Sequence, residues 1–238
     1  MHAMRPVVLP LLVLALATGG AHARGQLQTR QTGIDMPAGV RAGRLVLANS
    51  GDKPVAAQIR VYKWTQAKGD DVLDPSNELT ASPAIVEIPA GAEQLIRVVR
   101  ADAAPLTSEQ AYRVVVDELP GDPDADATNA VTVRMRFLLP AFVRAENALA
   151  PDVACALAGG TLTCRNRGGR AAQMGATTLV GSAGRSAEIT PGLLGYVLAG
   201  ATRSWPVDAA KITAAGPPAS LKVQLNGQPT TLALGAAP

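Results

Sequence analysis

The sequence predicts an all-β protein built from two β-sandwich domains. Short segments in which apolar and polar residues alternate recur about every ten to fifteen residues, a spacing typical of strands in a sandwich. Turn-forming residues separate these segments, since the chain contains 23 glycines and 18 prolines, and apolar residues at helical spacing are rare. The 238 residues suffice for two small domains, each with its own core.

The first domain, residues 24–142, is predicted to contain seven strands, the number found in an immunoglobulin-like fold. One face of residues 55–64, for example, carries an apolar side chain at every second position. The acidic stretch at residues 70–75 is predicted to be a loop. The predicted strands are residues 27–36, 44–49, 55–64, 85–88, 93–99, 111–118 and 130–139.

The second domain, residues 143–238, is predicted to be a smaller β-sandwich that follows a linker between Pro140 and Pro151. It is richer in glycine and alanine than the first domain, and its segments again show alternation. Its predicted strands are a hairpin around residues 155–164 and residues 177–180, 187–189, 196–198, 203–207, 221–225 and 231–234.

Residues 1–23 have the three-part layout of a secretory signal peptide. Met1–Arg5 carries one positive charge, an apolar run follows at residues 6–17, and Ala21-His22-Ala23 supplies small residues for cleavage. The apolar run is shorter than the roughly 20 residues that a spanning helix needs. We therefore expect export and cleavage near Arg24, with a retained membrane anchor as the alternative.

The two cysteines, Cys155 and Cys164, are predicted to form one disulfide. If Gly159 and Gly160 are the turn of a two-residue hairpin, the cysteines fall opposite each other as a non-hydrogen-bonded pair. The Cα separation of such a pair, about 4.5 Å, lies within the disulfide range. Two free thiols are the alternative.

The composition disfavours enzymes, metal sites and nucleic-acid binding. The only histidines, His2 and His22, lie in the predicted signal peptide, so triads with a histidine base are excluded and a zinc or copper site is not expected. Without Arg5 the charge is 21 − 19 = +2, too small to indicate nucleic acid. A hydrolase with paired carboxylates stays formally open. No glycine-rich phosphate loop, cofactor or small-molecule substrate is expected.

A series of short motifs in residues 44–142 resembles the PapD-like periplasmic pilus chaperones. Each motif is weak alone, but together they keep the order and spacing of the family. They are LVLAN (45–49), VYKW (61–64), LDP (73–75), SPAI (82–85), PAG (89–91), QLIRV (94–98), EQAYRV (109–114), ELP (118–120) and VTVRMRF (131–137). The predicted strand that ends in VYKW and the short loop after ELP resemble those of the archaic branch of the family.

The resemblance implies two immunoglobulin-like sandwiches in an L- or boomerang-shaped arrangement with a cleft between them. Members bind pilus subunits, which lack one strand, by lending a strand of their own, and deliver them to an outer-membrane usher. On the predicted strand 130–139, four apolar residues at every second position are the candidate donors, with ordinary core as the alternative. These residues are Val131, Val133, Met135 and Phe137.

The resemblance also implies basic residues that bind the client's terminal carboxylate. Arg136 matches one such anchor, and an ordinary exposed arginine is the alternative. The second anchor is normally on the first strand, where this sequence has Thr32-Gly33; Arg30 is three residues early and would need a shift in register. Arg97 and Glu109 match an interdomain ion pair, with Asp208 as a third candidate. A plain surface salt bridge is the alternative there.

The first hypothesis is therefore a periplasmic, non-enzymatic chaperone whose partners are a pilus subunit and an usher. When free, such a protein can associate with itself through its own exposed strand. A pilus subunit or adhesin with the same sandwich is the alternative, but residues 24–32 are polar and lack the alternating apolar donor segment of a subunit. A secreted enzyme is the third hypothesis.

Overall fold

The computed structural model describes residues 26–102, 104–121 and 133–235, and the predicted signal peptide lies outside these ranges. The first ten strands are β1 Leu27–Thr29, β2 Ile34–Met36, β3 Ala42–Asn49, β4 Val55–Ala67, β5 Asp70–Pro75, β6 Leu79–Ser82, β7 Ile85–Ile88, β8 Glu93–Arg100, β9 Gln110–Glu118 and β10 Arg136–Val143. The remaining elements are β11 Val153–Ala158, β12 Thr161–Asn166, β13 Ala172–Gly181, β14 Ser186–Thr190, β15 Gly195–Val197, β16 Thr202–Pro206, α1 Ala209–Ala215, β17 Pro218–Leu225 and β18 Gln228–Ala233.

The first ten strands form two sheets that enclose one core. The smaller sheet has the order β1-β3-β8-β6, and the larger has the order β2-β10-β9-β4-β5 with β7 beside β4. Alternate residues of facing strands fill the space between them, including Leu45 and Leu47 of β3 and Val114 and Val116 of β9. The predicted alternation in β4 is therefore the alternation between core and surface.

The last eight strands form a second pair of sheets around a separate core. Their orders are β11-β12-β16 and β14-β13-β17-β18, with β15 beside β13. Cys155 and Cys164 face each other across the β11–β12 hairpin with a Cα separation of 4.1 Å and form a disulfide, which confirms the prediction. The all-β, two-sandwich class predicted from the sequence is also confirmed.

One predicted strand and one predicted loop in the first domain differ from the structure. The predicted strand 27–36 is divided, because β1 pairs with β3 in the smaller sheet and β2 pairs with β10 in the larger one. The predicted loop at residues 70–75 is the strand β5, which forms a hairpin with β4. Its aspartates are exposed at the sheet edge, where acidic side chains are tolerated in a strand.

Residues 130–132 of the predicted strand 130–139 lie outside the described residues. Within the described part, β10 begins at Arg136 and continues through Pro140 to Val143, one residue past the predicted domain boundary. A proline is accepted there because of the hydrogen-bonding pattern of β10. The N–H of Glu118 donates to the carbonyl of Met135, so the odd-numbered residues of this segment direct their backbone groups toward β9. Pro140, which lacks an N–H, faces the other way.

Candidate functional site

One side of β10 is open over most of its length. β9 pairs with β10 from Arg136 to Val143, whereas β2 covers the opposite side only from Ala141 to Val143. Among the described residues, no strand pairs with this side of residues 133–139, which we call the open edge. By the same alternation, the backbone groups of Arg136 and Leu138 face the open edge, where they are available to another strand.

Apolar side chains are exposed along the open edge. Val133 is 74% exposed, Leu138 50% and Met135 39%. Val133 and Met135 lie, by the two-residue period, on the same face as Phe137, which packs against the core of its own domain. The alternative interpretation, that these apolar residues belong to the core of their own domain, therefore applies to Phe137. Val131 lies outside the described residues.

Arg136 lies on the outer face of the larger sheet, the face opposite the core. Its Nε donates a hydrogen bond to Asp117 of β9, and Nη2 of Arg60 on β4 donates to the same carboxylate at 2.5 Å. Burial alone would raise the pKa of Asp117, but the hydrogen bonds and charges of the two arginines outweigh it, so its pKa lies below the ordinary value. Sequence reasoning missed Arg60 and Asp117, although an aspartate that directly follows a run of valines was a signal.

The structure gives a reason for the absence of a base at Gly33. A Cβ atom at this position would lie 3.1 Å from Cγ and 3.2 Å from the carbonyl oxygen of Pro140, closer than side chains normally pack. Arg30 points elsewhere, since it forms an exposed ion pair with Glu93. In this conformation Arg30 therefore has an acidic partner of its own.

The predicted ion pair between Arg97 and Glu109 is not formed. Arg97 is exposed on β8 of the smaller sheet, while Glu109 immediately precedes β9 of the larger sheet and pairs with Arg144. Asp208 is also not part of this pair, because its carboxylate caps helix α1 by accepting from the N–H of Ala210 at 2.8 Å.

Glu109 instead connects the two domains. Its side chain is 1% exposed, and it accepts a hydrogen bond of 2.7 Å from the backbone N–H of Ala171 in the second domain. Arg144 binds it from the end of β10 and also donates to Asp35 at 2.6 Å. Burial raises the pKa of Glu109 despite the opposing effects of Ala171 and Arg144.

An aromatic cluster lies at the same junction. Trp64 of β4 and Phe142 of β10 contact Tyr196 of the second domain, with ring centroids 5.4 to 6.0 Å apart. The guanidinium of Arg113 lies 3.5 Å from the centroid of Trp64 and 5.4 Å from that of Tyr196. Trp64 is therefore buried between the domains, with 1% of its surface exposed.

The tip of the β4–β5 hairpin makes a further contact between the domains. Gly69 accepts hydrogen bonds from the backbone of Ser204, at 2.9 Å, and from the side chain of Arg203. Arg203 also pairs with Asp70 at 2.6 Å. These contacts hold the hairpin against β16, and they explain why β4 is longer than the predicted strand.

Other kinds of site are not found in the described part of the chain. No group of histidine, cysteine, aspartate or glutamate residues there is arranged to hold a metal ion. Within the same ranges, no helix has the length and apolar character required to cross a membrane.

The fold and the open edge define a class of protein: a two-domain β-sandwich whose free edge can accept a strand of another chain. The sequence profile described as "Pili and flagellar-assembly chaperone, PapD N-terminal domain" matches residues 26–148. This match covers more than half of the chain, and the protein belongs to this family of assembly chaperones, which are not enzymes. The predicted family is thus confirmed.

Several solved structures share the fold. The CsuC–CsuE chaperone–tip adhesion subunit pre-assembly complex from archaic chaperone–usher Csu pili of Acinetobacter baumannii includes a chain with a TM-score of 0.69 and 22% identity, covering 89% of this chain and 98% of that one. The corresponding values are 0.63, 17%, 88% and 96% for the Salmonella enterica SafA pilin–SafB chaperone complex, and 0.58, 18%, 91% and 98% for the E. coli chaperone DraB. Comparison with individually curated proteins gives no match.

Proposed function

We propose that this protein is a periplasmic chaperone that binds a pilus subunit by donor-strand complementation and delivers it to an outer-membrane usher. The observation that carries the proposal is the open edge of β10, with unpaired backbone groups and exposed apolar side chains beside it. Family membership and the fold shared with the SafB and CsuC complexes support it.

The physical basis is β-augmentation. A subunit that lacks one strand exposes a hydrophobic groove and unpaired backbone groups, which promote aggregation. The open edge supplies the missing hydrogen bonds, and alternate side chains enter the groove. Burial of Val133, which is 74% exposed, would contribute about 1.5 kcal/mol, and burial of Met135, which is 39% exposed, about 1 kcal/mol. Val131 is proposed as a further donor on the basis of the sequence period.

Arg136 is proposed to bind the C-terminal carboxylate of the subunit. It lies at the start of β10, next to the open edge, and its side chain is 64% exposed although it is paired with Asp117. Most of its N–H donors can therefore reach a second carboxylate. Charge-assisted hydrogen bonds of this kind fix the register of a bound strand as well as its affinity.

Export through a cleaved signal peptide is part of the proposal. It is supported by the layout of residues 1–23 and by the disulfide, which is stable in an oxidising compartment such as the periplasm. We also propose that the protein belongs to the archaic branch of the family, on the basis of the sequence of the strand that contains Trp64.

Co-purification with a subunit tests the proposal. The chaperone is co-expressed in the periplasm with the candidate pilus subunit encoded nearest to its gene, as the wild type and as a variant with Val133→Asp and Met135→Asp. We expect a one-to-one complex with the wild type and none with the variant, because charged side chains cannot enter the groove. Leu193→Asp, at a site 54% exposed in the second domain, is the matched control and should keep the complex.

Equal complex yields for the wild type and the double variant would remove the open edge from the binding site. Gel filtration of the free wild type and the double variant also shows whether the open edge mediates self-association. A dimer that the double variant abolishes would mean that the free chaperone covers this edge with a second copy.

A further inference from the structure

We propose that Leu138 selects an apolar side chain on the strand of the bound subunit and disfavours a basic one. This inference rests on the proposed function, in which a subunit adds its strand to the open edge, and it names the side-chain chemistry that the added strand needs there. It concerns the outer face of the larger sheet, whereas Val133 and Met135 lie on the opposite face, the one that carries Phe137.

Leu138 combines free backbone groups with an exposed apolar side chain. Its N–H and C=O groups face the open edge, since the N–H of Glu118 donates to Met135 and the direction of the backbone groups alternates along β10. Its neighbours Phe137 and Leu139 pack against the core, so its own side chain projects from the outer face, where it is 50% exposed. Half of an apolar side chain therefore lies uncovered directly beside the edge at which another strand would bind.

The geometry of strand pairing fixes where a side chain of the added strand must lie. Residues opposite each other on paired strands project from the same face of a sheet. On the parallel side of β10, Ala141 lies opposite Ile34 of β2, and both are buried in the core. On the antiparallel side, Leu139 lies opposite Val114 of β9, and both are again in the core. Whatever its direction, a strand paired with the open edge therefore places one side chain next to Leu138 on the outer face.

The surroundings of Leu138 decide which side chain fits beside it. Val115 of β9 lies opposite Leu138 and is only 6% exposed, so the two residues form a continuous apolar surface. Arg60, opposite Val115, and Arg136, two residues from Leu138, project from the same face and share Asp117 as their partner. These three groups carry a net charge of 2 − 1 = +1, which repels an incoming lysine or arginine. A leucine or another large apolar side chain would cover Leu138 instead.

The test uses short synthetic peptides that alternate valine and threonine after two N-terminal lysines that keep them soluble. Their C-termini are amidated, so no terminal carboxylate contributes to binding. In each peptide one threonine is replaced by leucine, glutamate or lysine, and every threonine position is scanned in turn, so the register need not be known beforehand.

Affinities are measured by calorimetry for the full-length mature protein, Leu138→Thr and Leu138→Lys. Ratios between peptides within one variant separate side-chain recognition from any effect of the substitution on folding. Ile85→Lys is the matched control, because Ile85 is 60% exposed and lies opposite Gln58 on the same outer face, but β4 and β9 separate it from β10.

For the wild type and Ile85→Lys we expect one peptide position at which leucine binds about fivefold more tightly than threonine, and lysine more weakly than threonine. Leu138→Thr should remove the leucine preference at this position. Leu138→Lys should raise the affinity for glutamate relative to leucine there by about fivefold or more, because an opposite-charge pair replaces an apolar one.

Two results would exclude Leu138 from recognition while leaving strand binding intact. One is a wild type without a leucine preference at any position, or with a preference that Leu138→Thr keeps. The other is the lack of any position at which Leu138→Lys gains affinity for glutamate relative to leucine. Failure of the wild type to bind any of the peptides would instead overturn the proposed function itself.

Discussion

Replacement of Arg144 by methionine is the perturbation that most directly tests the junction between the domains. Arg144 is the charged partner of Glu109, whose side chain is 1% exposed, so its loss leaves a buried carboxylate without a counter-charge. Removal of one partner from a buried ion pair costs about 3–5 kcal/mol. Glu109 keeps its hydrogen bond from Ala171, and Asp35 is largely exposed, so we expect the lower end, about 3 kcal/mol at pH 7.

The cost should depend on pH in a defined direction. Burial already raises the pKa of Glu109, and loss of Arg144 removes a charge that lowers it, so the pKa rises further in the variant. A carboxyl group whose pKa is higher in the folded than in the unfolded state binds protons preferentially in the folded state, and stability increases as the pH falls. The destabilisation should therefore be about 1 kcal/mol smaller at pH 5 than at pH 7.

Urea unfolding followed by the fluorescence of Trp64 and Trp205, one in each domain, measures both quantities. Arg44→Met, on the exposed face of the smaller sheet, is the control and should change the unfolding free energy by less than about 0.5 kcal/mol. A cost below about 1 kcal/mol for Arg144→Met would mean that the pair is no stronger than a surface salt bridge. A cost that did not change with pH would show that Glu109 is not the group left uncompensated.

Two further perturbations test other parts of the structure. Reduction of the Cys155–Cys164 disulfide should lower the unfolding free energy of the second domain by about 2.7 kcal/mol, the loop-closure value for this separation, and a midpoint unchanged by reductant would contradict this. Arg113→Ala removes the side chain between Trp64 and Tyr196, and should cost about 0.5–2 kcal/mol and broaden the distribution of interdomain angles in small-angle scattering. Scattering identical to that of the wild type would mean that the remaining contacts alone fix the angle.

The predicted strands that match the structure are those in which a local rule is sufficient. Alternation in residues 44–49 and 111–118 arises because one face of each strand is buried, and the pattern is visible without knowledge of the partner strand. The Cys155–Cys164 hairpin was predictable for the same reason, because its register depends only on the two-residue turn at Gly159 and Gly160.

Predictions failed where a residue's environment depends on a distant part of the chain. The aspartates of β5 resemble a turn, and only pairing with β4 makes this segment a strand. Asp208 matches an interdomain partner by position, but the helix that it caps was not predicted. The ion pairs of Asp117 were also missed, although the sequence contains a sign of them. A charged residue at the end of a run of buried valines requires a partner of opposite charge.

By itself, the sequence determined the class of fold, the disulfide and the family, because period, turn chemistry and ordered motifs are properties of contiguous residues. Only the tertiary structure decided which acidic residue each arginine meets. Arg97 and Arg144 are equally plausible partners for Glu109 along the chain, but β8 belongs to the smaller sheet and β10 lies next to β9. Ion pairs form between groups that the sheet order brings within a few ångströms, and sheet order is set by non-local packing of the whole core.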